Sequence, residues 1–185
     1  EYVAVDLRAG AAWKPEYLAL NPGGKVPTLV DGELVLTESA AICTYIGDRF
    51  PASRLTPSVG SPERAHYDQW CYFVLSELEQ PLWTMAKHLF ALPERRRVPA
   101  MLDTARWEFA MAAKVLAAGL GRREFIVGDH FTAADILIAH TLTWALVFEL
   151  PLEHDYLKIY AERLLARPAW ARVHEREEAE SGVKP

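Results

Sequence analysis

The chain has 185 residues, enough for one large domain or two small ones. Its 51% hydrophobic and 24% charged content is ordinary for a globular protein. A net charge of −5, with Arg95-Arg96-Arg97 as the densest basic run, argues against a nucleic-acid partner, and no apolar run approaches the roughly 20 residues of a membrane span.

Residues 2–7 alternate as a strand does. Residues 11–20, with Pro15 near the start and Asn21-Pro22 just after, predict a brief helix or turn. Residues 26–30 read as a second strand, Asp31-Gly32 as a two-residue hairpin turn, and residues 33–36 as the return strand with Leu34 and Leu36 on one face. Thr37 or Glu38 then opens a helix with Ala41, Ile42, Tyr45 and Ile46 at helical spacing. Prolines, serines and a glycine crowd the following segment, which marks a linker.

Beyond it the period is helical throughout. Tyr67, Trp70, Cys71, Val74, Leu75, Leu78 and Leu82 line one face of a long helix that Pro81 should bend. A second long helix is expected over residues 95–120, with Arg95-Arg96-Arg97 as its solvated start, and a third, the most apolar, over 133–150. Shorter helices follow over 155–166 and 168–178, and the end from residue 180 should fray. The expected organisation is a mixed α/β domain at 1–50, a linker at 51–61, an all-helical domain at 62–178 and a tail at 179–185.

Two local constellations stand out. Val26-Pro27 presents a backbone edge, and Glu38-Ser39 sets a carboxylate and a hydroxyl at a helix start nearby, an arrangement suited to capturing a peptide. Further on, Thr132 and Asp135 have the spacing of a capping box, and Phe131 and Ile136 that of a hydrophobic staple, a structural device at the start of the third long helix. Together, in this order and over nearly the whole chain, they resemble the cytosolic glutathione transferases, of a bacterial or unclassified type.

The resemblance implies a thioredoxin-like N-terminal domain followed by an all-helical C-terminal domain. It implies a detoxifying, cytoplasmic homodimer that joins the thiolate of glutathione to a small hydrophobic electrophile, with glutathione as cosubstrate and with no metal, nucleic acid or membrane involved. In the family the residue before a cis-proline meets the cysteinyl amide of glutathione like a short added strand. That residue is Val26 here, with Pro27 as the cis residue. Glu38 and Ser39 match the pair that holds the γ-glutamyl end, and Lys25 can pair with the glycyl carboxylate. A plain helix cap is the alternative for Glu38 and Ser39, and a solvent-exposed lysine for Lys25. Tyr67, Trp70, Phe73 and Val74 are candidates for an electrophile pocket between the domains, although most of that stripe also suits a core.

The thiol-facing residue of the family, a Tyr, Ser or Cys, belongs to a first strand or helix that is missing here. It is expected upstream of Glu1, on roughly 20–30 further residues. Cys43 and Cys71 sit in apolar helical patterns and read as inert thiols. The six histidines have no HExxH or C-x-x-C partner. Two alternatives stay open: a non-catalytic binding or regulatory protein of the same fold, and a glutathione-dependent reductase, isomerase or peroxidase.

Overall fold

A computed structural model describes residues 1–181. Residues 2–7 belong to no strand and pair with none among the described residues. Alternation supplies strand propensity, but a ladder also needs a partner's N–H and C=O groups. A turn follows, in which the Ala9 amide donates to Asp6 Oδ1 at 2.9 Å. After a 3-10 turn at Ala11–Trp13 comes helix α1, Pro15–Leu18. Pro15 takes its first position, where an N–H has no helical partner anyway.

Strand β1, Thr28–Asp31, begins only after Pro27, because a proline cannot donate to a ladder. It pairs antiparallel with β2, Leu34–Thr37, in a register running from Thr28↔Thr37 to Asp31↔Leu34. Asp31 therefore belongs to the ladder, and the turn is Gly32-Glu33, one residue later than expected. Gly32 has φ 61 and Glu33 does not share the positive φ, which matches a II′ turn. Helix α2, Ser39–Arg49, follows, with Ala40, Ile42 and Gly47 buried.

The segment after α2 is partly strapped down. The Leu55 carbonyl accepts the Ala133 N–H at 2.8 Å. Ser61 caps α3, Pro62–Phe73, by accepting the Arg64 N–H at 3.1 Å. A π turn, Val74–Leu78, joins α3 to α4, Glu79–Ala86. This is how the disturbance expected at Pro81 is expressed: Pro81 cannot donate to the preceding turn, and its ring crowds the carbonyl there.

Helix α5 spans Met101–Leu120 and starts later than the expected residue 95. Val98 precedes Pro99, which disfavours helical geometry. Arg97 is not part of a solvated helix start. Its guanidinium donates to the carbonyls of Leu92 and Phe90 at 2.8 and 2.9 Å, closing off the preceding helical segment. Helices α6, Ala133–Val147, α7, Asp155–Leu165, and α8, Pro168–Ser181, complete the described chain. The expected fraying tail falls largely on residues 182–185, which lie outside the described residues.

By its contacts the chain divides into two units. One is Glu1–Phe50 with the segment from Ala166 onward; the other is Pro51–Leu165. Helix α8 joins the first, where the Arg176 guanidinium lies 5.2 Å from the centre of the Tyr2 ring. Helix α6 is central to the second and meets α3, α4 and α7. It is apolar on nearly all sides, as a surrounded helix must be, and its buried Ala133, Ala134, Ala139 and Ala145 let neighbours approach closely. Leu137, Ile138 and Leu142 fill the space between, each worth about 1.5–3 kcal/mol of burial.

Candidate functional site

Asn21 fixes the turn that leads into the hairpin. It is buried; its Oδ1 accepts the Gly23 N–H at 2.9 Å, and its Nδ2 donates to the Lys25 carbonyl at 2.8 Å. The Gly24 N–H donates back to the Asn21 carbonyl at 3.0 Å. Gly24 has φ 58, which L side chains rarely adopt, and a Cβ there would press on the Trp13 ring at 3.0 Å.

Tyr17 holds the same loop from α1. Its hydroxyl donates to the Lys25 carbonyl at 2.5 Å and lies 2.9 Å from Thr28 Oγ1. Between those two anchored residues the Val26-Pro27 bond is cis, as the resemblance implied, and Val26 is 44% exposed.

The hairpin register brings the second half of the site alongside. Thr28↔Thr37 is the last pair at the open end of the ladder, so Pro27 and Glu38 are the residues that continue the chain beyond it on either side. Glu38 has φ 69 and ψ 114, a region that non-glycine residues rarely occupy. Its side chain makes no capping bond, so its exposed carboxylate is not spent on the helix, while its carbonyl accepts the Ile42 N–H at 3.0 Å. Ser39 is half-buried at the first position of α2. The amides of that first turn have no helical acceptors and carry the positive end of the helix dipole. The opening of α2 therefore offers a hydroxyl and free N–H groups to an anion, with a carboxylate beside them for a cation.

Tyr45 ties α2 to the hairpin: its hydroxyl donates to Asp31 Oδ2 at 2.7 Å, and this bond to a carboxylate raises the phenol's pKa. Cys43 lies on the same helix, and burial pushes its thiol up, which leaves it protonated and unreactive.

Among the four expected pocket residues, Tyr67 and Val74 are fully buried, Trp70 is nearly so, and Phe73 is half-buried with its ring edge-on to Trp70 at 5.3 Å. Trp70 lies against Gly119 of α5, so closely that a Cβ there would fall 2.1 Å from the indole. The α6 cap is a buried hub. Asp135 accepts the Thr132 N–H at 2.8 Å, the Thr132 hydroxyl at 3.1 Å, the Ile126 N–H at 3.0 Å and the Tyr160 hydroxyl at 2.5 Å. Phe131 and Ile136 are half-buried, and Phe131 packs edge-on to Phe125 at 6.3 Å. Among the described residues no helix is long and apolar enough to cross a membrane, and no group of three His, Cys, Asp or Glu could hold a metal ion.

Sequence reasoning missed Tyr17. The available signal was its spacing of four from Asn21, one helical turn, which the Asn21 N–H keeps by donating to the Tyr17 carbonyl at 2.9 Å. What no spacing could give was their shared acceptor, the Lys25 carbonyl.

The family model "Glutathione S-transferase, N-terminal domain" matches residues 1–48, and the corresponding C-terminal domain model matches residues 80–168. Glutathione S-transferase 3 of Zea mays is 31% identical over 181 residues, covering 94% of this chain and 81% of that protein. A glutathione S-transferase from Xylella fastidiosa superposes with a TM-score of 0.79 at 31% identity, covering 90% of this chain and 82% of the other. A Phanerochaete chrysosporium glutathione transferase, solved with oxidized glutathione, gives a TM-score of 0.84 at 28% identity, with 97% and 85% covered. The hairpin and α2 thus belong to a thioredoxin-like N-terminal domain, the helices after it to the helical C-terminal domain, and the chain belongs to the glutathione S-transferase family.

Proposed function

We propose that the protein binds glutathione at the open end of the β1–β2 hairpin and joins its thiolate to a small hydrophobic electrophile. The observation that carries this reading is the hairpin register, whose last pair, Thr28↔Thr37, leaves Val26-Pro27 leading into one strand and Glu38-Ser39 leaving the other at the same end. Family membership, and a relative solved with oxidized glutathione, support the choice of ligand.

Each part of the tripeptide then meets a matching group. The exposed Val26 backbone offers N–H and C=O to the cysteinyl amide, as an added strand does. The Ser39 hydroxyl and the first-turn amides of α2 take the γ-glutamyl carboxylate, and Glu38 attracts the ammonium. Lys25 faces the glycyl carboxylate. A free thiol of pKa ~8.5 is mostly protonated at neutral pH, so conjugation needs the thiolate stabilised where it is bound. The reaction forms a carbon–sulfur bond as the bond from that carbon to its leaving group breaks; the leaving group departs with the electron pair, and the thiol proton passes to solvent. Cys43 plays no part, because its burial disfavours the thiolate. Within the α3 stripe, Tyr67, Trp70 and Val74 are buried and Phe73 is the half-buried member.

The assembly proposed is a homodimer. Trp107, Met111 and Val115 recur every four residues on α5 and are all exposed, an apolar stripe on one side of a long helix. A cytoplasmic, detoxifying role goes with this reading, and Cys43 and Cys71 carry thiols rather than a disulfide, as suits a reducing compartment.

Calorimetry with glutathione tests the site. The parent protein should bind it, and Ser39→Ala should weaken binding by about 1.5–3 kcal/mol, the worth of a hydrogen bond to a charged group. Equal affinity in the two would remove Ser39 from the site. Binding without any conjugation of activated aryl halides would overturn the transferase reading in favour of reduction, isomerisation or binding alone.

A further inference from the structure

We infer that Tyr17 is a positioning residue for the backbone that reads the cysteinyl amide; the inference rests on the proposed seating of glutathione on Val26. The Tyr17 hydroxyl has one proton, and at 2.5 Å it is given to the Lys25 carbonyl. The 2.9 Å contact with Thr28 must then run the other way, with the Thr28 hydroxyl donating to Tyr17. One phenol oxygen therefore bonds the residue before Val26-Pro27 and the residue after it. Asn21 Nδ2 fills the other lone pair of the Lys25 carbonyl at 2.8 Å. Val26 itself is 44% exposed, so packing does not hold it. The orientation of its N–H and C=O is set by the two anchors that Tyr17 bridges.

This separates Tyr17 from a merely structural tyrosine. Replacing it with Phe keeps the ring and strands nothing buried, because the Lys25 carbonyl retains Asn21 and Lys25 is exposed. What is lost is the link between the two sides of the dipeptide, and with it the preorganisation of a peptide-binding edge.

The test is Tyr17→Phe beside the parent, with three readouts: glutathione calorimetry, steady-state conjugation of an activated aryl halide, and thermal melting. The expected result is a Kd and a glutathione KM raised about 5- to 30-fold, the effect of one or two neutral hydrogen bonds, with kcat at saturating glutathione unchanged and the melting temperature lowered by a few degrees. Thr28→Val, which removes only the Thr28 donor, should give a smaller rise, and the double variant should bind no more weakly than Tyr17→Phe alone. A Kd within twofold of the parent, whether or not the melting temperature falls, overturns the role of Tyr17 and leaves the proposed function standing. If Tyr17→Phe fails to fold, Thr28→Val decides: an unchanged Kd in it overturns the inference. A parent that binds no glutathione overturns the proposed function, and the inference falls with it.

Discussion

Glu38 shows at the scale of one residue how a site can be set against its fold. Its φ of 69 and ψ of 114 place a side chain where only glycine is at ease, at a cost of about 1–3 kcal/mol. No capping bond compensates, so the fold gains nothing from a glutamate there. Glu38→Gly should therefore stabilise the protein by about 1 kcal/mol, the relieved strain less the backbone entropy that glycine loses on folding. The same variant should bind glutathione more weakly, because the carboxylate for the ammonium is gone. Chemical denaturation and calorimetry on one preparation check both signs. A variant that is less stable than the parent would mean that the backbone there is unstrained. The residue types of this site were legible because they lie close together in sequence. The strained backbone at Glu38 was not, because a glutamate before a serine reads equally well as an ordinary helix cap.

Helix α6 owes its start to one buried carboxylate with four donors. Asp135→Ala would strand the Ile126 and Thr132 amides, at about 1–3 kcal/mol each, and should lower stability by several kcal/mol; an unchanged denaturation midpoint would reject the role. Tyr160 adds a pH dependence. Burial, then the Asp135 charge and the bond to it, hold its phenol well above the ordinary value near 10. The folded state therefore keeps a proton that the unfolded chain releases, so this contribution is whole below pH ~10 and is lost as pH rises beyond it. Tyr160→Phe should be less stable at neutral pH and should show a shallower loss of stability above pH 10, seen in denaturation curves across that range. The contact between α3 and α5 is as demanding. Gly119→Ala should gain helix propensity of about 1 kcal/mol, yet a methyl 2.1 Å from the Trp70 indole cannot be accommodated without movement. The overpacking should win, for a net loss of about 1–3 kcal/mol that is reduced when Trp70 is also shortened. The capping box was readable at the spacing of Thr132 and Asp135. Its partners Ile126 and Tyr160 were not, and neither was Arg97 closing the preceding helical segment, because the period of a helix says nothing of which side chain reaches in from elsewhere.

At the scale of the molecule, the two-part organisation followed from a change of period. Alternation and a hairpin turn come first, and helical spacing follows. What the period could not supply was non-local pairing: residues 2–7 have the alternation of a strand but no ladder among the described residues, and α8, which reads as one more helix of the second half, groups with the first unit. The dimer proposed here is tested at the same scale. Sedimentation at micromolar concentration should give about twice the 20.8 kDa of the chain, and Met111→Glu, which puts a charge in the centre of the exposed α5 stripe, should shift the protein toward monomer. A parent that sediments as a monomer would reject the assembly. The hairpin register has one more consequence. Every residue assigned to glutathione lies between Lys25 and Ser39, so the chain closes only a short loop to bring them together, and loops that short cost little entropy to close. Recognition of the peptide thus has low contact order, and its geometry does not wait on the long-range packing of the helices. Changes in the helical half of the sequence should therefore leave intact the short segment proposed to read glutathione.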